Sequence, residues 1–167
     1  MRAEMLGKRV LVTGDCSELV QRGFGEKKSE GLVLSLYEAA YLLEKGKIRV
    51  VKGGKELTLE EFFREAEREE PAFYVRYAVF RDMRDRGYVI KTGFKFGTHF
   101  RVYPRGKKPG EAHTEFTVQV IPEESRVEIT DISRMVRLAR AIRTRLVLAV
   151  VDSENEVVYY EVKRISP

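Results

Sequence analysis

The amino-acid sequence predicts a mixed α/β fold, with helices and strands alternating through both halves of the chain. Two helix starts carry capping signals, and short β-branched runs bounded by turn residues lie before and after them. In the second half an apolar stripe at helical spacing is followed by a wholly apolar run, residues 146–151. Because a period of about 3.6 residues belongs to helices and a period of 2 to strands, the chain is neither all-helical nor all-strand.

Residues 1–70 are predicted to form a small N-terminal α/β domain. Both of its helices begin with a Ser or Thr followed by Glu three residues later, which is the spacing of a capping box, and Gly46 supplies a C-cap. In order, the predicted elements are a strand at 9–13, a loop or hairpin at 21–31, a helix from Ser35, a strand at 47–52 and a helix from Thr58.

The acidic stretch 65–70, followed by Pro71, is the predicted domain boundary, because composition and charge change there. The second domain is then residues 71–167. Its order is helix, strands, helix and two strands, and the apolar stripe of the second helix is Ile132, Met135, Val136, Ala139 and Ile142. The predicted elements are a helix at 73–86, strands at 97–103 and 115–121, a helix at 131–143, and strands at 146–151 and 157–163 on either side of an acidic turn.

Composition excludes several classes of protein. No apolar run reaches the roughly 20 residues that span a bilayer, and the N-terminus lacks an apolar signal segment, so a cytoplasmic protein without membrane contact is expected. A single cysteine, Cys16, excludes an internal disulfide, and with two histidines it cannot build a zinc cluster. Catalysis is therefore expected to need no cofactor and no metal, with carboxylate-bound magnesium as the alternative.

The positive charge is concentrated in the second domain. Residues 1–69 contain 13 Lys/Arg and 13 Asp/Glu, whereas residues 70–167 contain 18 and 13, which accounts for the whole net charge of +5. An excess on one side of a chain favours a polyanionic partner such as RNA or DNA. The alternative is a heavily charged thermophile surface, since 34% of the residues are charged.

Residues 91–113 are predicted to form a strand followed by a long polar loop. If 97–103 is extended, His99, Arg101 and Tyr103 share one face and Thr98, Phe100 and Val102 the other. The loop that follows, PRGKKPGEA, has four Gly/Pro residues and three cations before His113, a composition typical of a surface loop. The segment is therefore the first candidate for chemistry on an anionic substrate.

Several separated motifs together resemble the archaeal tRNA-splicing endonuclease family. They are YAVFRDMRDRGYVIKTGFKFGTHFRVYPRG, then His113, then VRLARAIRTRLVLAVVDSENEVVYY, and in the first half LSLYEAAYLLEKGKI. The resemblance implies a C-terminal domain of restriction-endonuclease-like fold with a mixed sheet, assembled into homo- or hetero-oligomers, with a dimer of dimers expected. It also implies metal-independent cutting of the bulge-helix-bulge of intron-containing pre-tRNA, leaving a 2′,3′-cyclic phosphate and a 5′-hydroxyl.

By this resemblance the catalytic residues are Tyr103, as general base on the 2′-hydroxyl, and His113, as general acid for the leaving 5′-oxygen. An imidazole with a pKa of about 6.5 suits the acid, whereas a tyrosine near 10 needs neighbouring cations, for which Arg101 and Lys107 are candidates. Without the resemblance, Tyr103 would be a half-buried strand aromatic and His113 an ordinary loop histidine.

The family's third catalytic group is a lysine that follows an arginine at the start of the strand after the last helix, and here that position holds Thr144. A hydroxyl cannot stabilise the charge of a pentacoordinate phosphate as an ammonium does, and losing such a group typically costs about 10²–10³ in rate. Arg143 and Arg145 flank the position, but in an extended strand their side chains point to the opposite face, so a rescue would need local irregularity.

Two further features match the family. The acidic turn at 152–156, with Asp152, Glu154 and Glu156, resembles a loop that docks into a basic pocket of a neighbouring subunit; in isolation it would be a solvated hairpin turn. Arg137 resembles an arginine that grips a flipped bulge base, although it is also one of four arginines on its helix. The candidate RNA-binding residues are Arg137, Arg101, Lys107 and Arg143.

Three hypotheses about this chain remain open. It is a complete endonuclease subunit that tolerates Thr144, a non-catalytic subunit that supplies docking and RNA contacts to a catalytic partner, or a general RNA-binding protein of the same fold. The missing lysine favours the second, and the retained Tyr103 and His113 favour the first.

Overall fold

A computed structural model describes residues 1–167, and the chain divides into two compact units, Met1–Tyr77 and Ala78–Pro167. Each unit contains a mixed sheet with helices, so the predicted α/β class is confirmed. The predicted domain boundary after residue 70 stays a prediction. None of the helices combines the length and apolar character needed to cross a membrane, and nowhere do three or more His, Cys, Asp or Glu side chains gather as a metal site requires.

The first unit is built on a six-stranded sheet with the strand order β3-β4-β2-β1-β5-β6. Only β1 and β5 pair in parallel; the other neighbours are antiparallel. The predicted strands at 9–13 and 47–52 are confirmed as β2 and β5, and β3 lies within the predicted loop or hairpin and pairs with β4. The elements are β1 (Arg2–Leu6), β2 (Arg9–Val12), α1 (Ser17–Gln21), β3 (Glu26–Lys28), β4 (Gly31–Ser35), α2 (Leu36–Glu44), β5 (Arg49–Lys52), β6 (Lys55–Glu56) and α3 (Leu59–Glu69).

Both predicted capping boxes are present in the first unit. The Ser35 and Thr58 hydroxyls each accept the backbone N–H of the glutamate three residues on, and that glutamate accepts the N–H of the cap residue. Helix α2 ends at Glu44, and its C-cap is Lys45 rather than the predicted Gly46. Gly46 follows the cap at a φ of 72°, and the N–H of Lys47 donates to the Leu42 carbonyl at 2.8 Å. These local bonds satisfy backbone groups that a helix end otherwise leaves unpaired.

The second unit is built on a five-stranded sheet with the order β11-β10-β9-β8-β7. Strands β9 and β10 are parallel, with α5 between them in the chain, and the other neighbours are antiparallel. Helix α4 (Phe73–Asp85) spans the division between the two units. The other elements are β7 (Val89–Thr92), a 3-10 turn (Phe94–Phe96), β8 (Phe100–Tyr103), β9 (Phe116–Pro122), α5 (Ile129–Ala141), β10 (Arg145–Val151) and β11 (Val157–Val162). The predicted helices at 73–86 and 131–143 are confirmed as α4 and α5.

The two faces of this sheet pack against different helices. Phe80 of α4 lies 6.0 Å from Phe100 of β8, measured between ring centroids. On the other face Leu146 of β10 is buried with Met135 and Ala139 of α5. Leu146 is in register with Thr117, and Thr117 with Arg101. Because side chains alternate along a strand, Arg101 and Tyr103 lie on the face that α5 covers.

A partly exposed polar cluster ties the last strand to α4. The Tyr159 hydroxyl donates to the Asp82 carboxylate at 2.5 Å, and Arg86 donates to the same oxygen at 2.9 Å. Burial, together with the bond to Asp82, raises the pKa of Tyr159 above its usual 10.0. The cluster therefore holds Tyr159 neutral and fixes β11 against the helix.

Candidate functional site

Three strand ends meet at one edge of the second sheet. The N–H of Glu115 donates to the Val102 carbonyl at 2.8 Å, just before β9 begins. Phe116 is in register with Val102 on one side and with Arg145 on the other. Because Glu115 bonds to Val102, which is already in register with Phe116, the ladder is irregular at this point. Tyr103 belongs to the α5 face through its alternation with Arg101, and Thr144 lies just before β10, where its hydroxyl contacts Thr114.

Tyr103 is the last residue of β8, and only 5% of it is exposed. Arg101, half-buried, lies two residues earlier on the same face, with its guanidinium carbon 5.7 Å from the centroid of the Tyr103 ring. The same carbon is 5.5 Å from the centroid of Phe96, so the cation lies against two aromatic rings. The predicted cation beside Tyr103 is thus present as Arg101.

The strand is shorter than the alternation of residues 97–103 predicted. It begins at Phe100, because Gly97 takes a φ of 78° and the N–H of Gly93 closes the turn on the His99 carbonyl at 2.9 Å. The His99 side chain has a structural role, because its Nδ1 accepts the N–H of Val120 at 3.0 Å. It is therefore occupied in joining this turn to β9.

His113 lies in the exposed segment that leads into β9. Its Nε2 is 2.9 Å from the carbonyl oxygen of Ile142, at the C-terminus of α5. A carbonyl only accepts, so Nε2 carries the proton of this bond and Nδ1 takes no part in it. An imidazole fixed through one nitrogen and open at the other suits proton transfer. Nothing in the sequence signals this bond, because its acceptor is a backbone atom 29 residues away.

Thr144 is half-buried, and its hydroxyl donates to the Thr114 carbonyl at 3.2 Å. The strand alternation from which the direction of the Arg143 side chain was predicted does not reach this residue. β10 begins only at Arg145, and Arg143 has a φ of 58°, in the left-handed region. The local irregularity that a rescue would need is therefore present, and the exposed Arg143 is not bound to strand alternation.

Arg145 is neutralised by two carboxylates. Its guanidinium lies 2.9 Å from Glu161 and 3.3 Å from Glu115, and its carbon is 5.6 Å from the centroid of the Phe116 ring. Glu115 was not among the predicted site residues, since a single carboxylate before a strand carries no recognisable signal. The pairing leaves Arg145 less able to serve as a free cation for a phosphate.

The remaining candidate RNA-binding residues are exposed. Arg137 lies on the solvent side of α5 and forms no ion pair. Lys107 lies in the loop after β8, where its N–H closes a turn on the Pro104 carbonyl at 3.0 Å, and its side chain has no hydrogen-bonding partner. The structure thus brings Arg101, but not Lys107, into contact with Tyr103.

The acidic turn between β10 and β11 is organised by one of its own carboxylates. Asp152 accepts the N–H of Glu154 at 2.8 Å and that of Glu156 at 2.9 Å through a single oxygen. Asn155 takes a φ of 63° to complete the turn. Glu154 and Glu156 are exposed, whereas Asp152 is half-buried. The two glutamates are therefore the carboxylates available to a partner.

Comparison with known proteins agrees with this architecture. A family model described as "tRNA intron endonuclease, catalytic C-terminal domain" matches residues 73–159, and one described as "tRNA intron endonuclease, N-terminal domain" matches residues 1–63. The tRNA-splicing endonuclease of Thermococcus onnurineus is 47% identical over 143 residues, which are 86% of this chain and 82% of that relative.

Two other relatives extend the comparison. The tRNA-splicing endonuclease of Methanothermobacter thermautotrophicus is 42% identical over 144 residues, 86% of this chain and 84% of the relative. That of Methanococcoides burtonii is 40% identical over 166 residues, 98% of this chain but only 46% of the relative. The resemblance seen in the sequence motifs is confirmed, and the chain belongs to the tRNA intron endonuclease family.

Proposed function

We propose that this chain is the structural, weakly catalytic subunit of an endonuclease that recognises the bulge-helix-bulge of intron-containing pre-tRNA. The observation that supports this is the sheet edge where Tyr103 ends β8, Thr144 precedes β10 and His113 is bonded to the end of α5. The edge retains an acid and a base, and it has a hydroxyl where an ammonium is expected.

The proposed reaction needs only proton transfers and charge stabilisation. Tyr103, as phenolate, takes the proton of the 2′-hydroxyl, and the 2′-oxygen attacks the adjacent phosphorus. The bond from phosphorus to the 5′-oxygen breaks, and His113 gives the leaving oxygen the proton held on Nδ1. The products are a 2′,3′-cyclic phosphate and a 5′-hydroxyl, formed without a metal ion.

The structural role follows from the missing cation. The Thr144 hydroxyl is occupied by the Thr114 carbonyl, and Arg145 is paired with two glutamates. Loss of one preorganised charge typically slows such a step by about 10²–10³. A partner subunit with a complete set of groups would then cut, while this chain contributes RNA contacts and the acidic turn to the assembly.

The second candidate is a subunit that cuts by itself. One observation favours it: Arg143, in the left-handed conformation next to Thr144, is exposed and unpaired. An arginine at this junction could supply the charge that Thr144 lacks. The two candidates differ in whether the isolated chain cuts RNA rapidly.

The deciding experiment incubates the purified chain, in EDTA, with a bulge-helix-bulge RNA and with the same duplex lacking bulges. We expect preferential binding to the bulged RNA and little cutting until a lysine-bearing subunit is added. Rapid cutting at both bulges by the chain alone would exclude the structural role. Equal binding to both RNAs would exclude bulge recognition and favour a general RNA-binding protein.

A substitution tests the missing cation directly. We expect Thr144→Lys to raise the cleavage rate of the isolated chain about 10²-fold or more, because it restores an ammonium on the α5 face. Thr144→Met, which adds similar length without charge, is the matched control and should leave the rate low. A rate increase in both variants would show that the charge is not what matters.

A further inference from the structure

A cationic groove of about 420 Å³ lies between the end of α5, the start of β10 and the residues after β11. Its lining includes five cations: Arg140, Arg143, Arg145, Lys163 and Arg164. The only carboxylate in the lining is Glu161, which lies 2.9 Å from Arg145 and 3.9 Å from Lys163. The groove thus holds far more positive than negative charge.

Three of these cations have no carboxylate partner. Arg140, Arg143 and Arg164 are exposed and form no ion pair. Lys163 has only a long contact with a glutamate that a second cation approaches more closely. Like charges gathered in a concave surface produce a focused positive potential, and this attracts a polyanion rather than a single neutral ligand.

The floor of the groove suits a nucleic acid better than a simple anion. Val136, Leu146 and Val162, which belong to the apolar cluster under α5, also line it. Cations at the rim can contact phosphates, while apolar side chains below can contact sugars and bases.

The groove adjoins the candidate site. Thr144, the residue just before β10, and the neighbouring Arg143 both form part of the wall. We propose that this groove binds the phosphate backbone of the RNA strand that leads to the scissile phosphate, with Lys163 and Arg164 as phosphate-binding residues. This inference rests on the proposed function and assigns that substrate a further binding site.

The other anionic candidate is the acidic turn of a second copy of this chain. Its Asp152 carboxylate already accepts two backbone N–H groups, which leaves two free glutamates for a groove in which Arg140, Arg143 and Arg164 have no carboxylate partner. A backbone with one charge per nucleotide matches that surplus better.

The test compares two double variants that each lose two exposed cations. Lys163→Ala/Arg164→Ala removes cations of the groove, and Lys47→Ala/Arg49→Ala, in the first unit, is the matched control. The affinity for bulged and unbulged RNA is measured by fluorescence anisotropy over a range of salt concentrations. We expect the groove variant to lower the slope of log K against log salt by about 1 to 2, at about 0.7–0.9 per phosphate contact. The control should keep the wild-type slope.

Sedimentation without RNA completes the test and separates the explanations. Equal slopes for the two variants would overturn the inference, and so would a smaller assembly formed by the groove variant alone, because the groove would then hold protein. If the wild type binds bulged and unbulged RNA equally well and only the groove variant has a lower salt slope, the inference about the groove is supported and the proposed function is refuted. If the wild type prefers bulged RNA and both variants keep the wild-type salt slope, the proposed function is supported and the inference about the groove is refuted.

Discussion

The junction between α5 and β10 holds an arginine in a strained conformation, which predicts a trade-off between stability and RNA binding. Arg143 has a φ of 58° and follows the C-cap residue Ile142. Its N–H donates to the Arg140 carbonyl at 3.0 Å, and the N–H of Thr144 donates to the Ala139 carbonyl at 2.8 Å. These are the two hydrogen bonds of a Schellman motif, in which this position is usually glycine. Arginine at such a position is conformationally costly and suggests a functional reason for it.

The size of the effect follows from the backbone, because the Arg143 side chain is exposed and has no ion pair to lose. The left-handed conformation costs a non-glycine residue about 1–2 kcal/mol. Glycine removes this cost, but it also makes the unfolded chain more flexible, which lowers the free energy of unfolding by roughly 0.5–1 kcal/mol. Arg143→Gly should therefore stabilise the protein by about 0.5–1 kcal/mol and raise Tm by about 1–4 °C for a chain of this size.

Arg143→Ala is the matched control, because it removes the same cation but keeps the left-handed Cβ. Thermal unfolding at one protein concentration should give a higher Tm for the glycine variant than for the wild type or the alanine variant. Both variants should lower the salt dependence of RNA binding by about one phosphate contact. A glycine variant no more stable than the alanine variant would refute the strain, and wild-type RNA binding by both would refute the functional reason.

Three further predictions concern other parts of the molecule. Tyr103→Phe and His113→Ala should each slow cleavage by about 10²-fold or more in an assembly that depends on this chain's site, with RNA affinity nearly unchanged, and equal losses of both would contradict acid–base roles. Replacing Glu154 and Glu156 with Ala leaves the turn itself intact and should weaken its docking to a neighbouring subunit by about 2–5 kcal/mol per buried charge pair. Tetramers should then become dimers in sedimentation experiments. An unchanged assembly would show that the turn is only solvated. Because the pKa of Tyr159 is raised in the folded protein, the stability contributed by the Tyr159 hydroxyl is full below pH 10.0 and disappears as the pH rises further. Tyr159→Phe should therefore lower Tm near neutrality, and the variant should lose less stability in alkali than the wild type does. A difference in Tm between the two proteins that stays constant with pH would contradict this.

Features set by local sequence were predicted well. The capping boxes at Ser35 and Thr58 need only residues three positions apart, and the stripe of α5 needs only its own spacing. Each of these signals acts within a single turn or a single helix. Local chemistry decides such elements before any distant contact forms.

Features that depend on distant partners were missed. Strand β1 is only five residues long, with Ala3 and Met5 as its buried residues, and it pairs with β2 and with the distant β5. The left-handed Arg143 was also missed, because no glycine marks the end of α5 and the residue was assigned to the strand. The pairing of β8, β9 and β10, which brings the end of β8 and the start of β10 to one edge of the sheet, cannot be read from sequence spacing alone.

Thr144 has a structural role of its own, in addition to replacing the family's lysine. Its hydroxyl donates to the Thr114 carbonyl and so joins the segment entering β9 to the segment entering β10, beside the bond between His113 and Ile142. A lysine aimed at a phosphate cannot make that short contact, and losing one such bond costs about 0.5–1.5 kcal/mol. Thr144→Lys should therefore lower the stability of this edge even as it restores charge, and Thr144→Ser, which keeps the hydroxyl, should retain the stability without any gain in rate. A lysine variant that cuts faster while its Tm falls by the expected few degrees would show that the two functions of this position, a hydroxyl link and a cation, exclude each other.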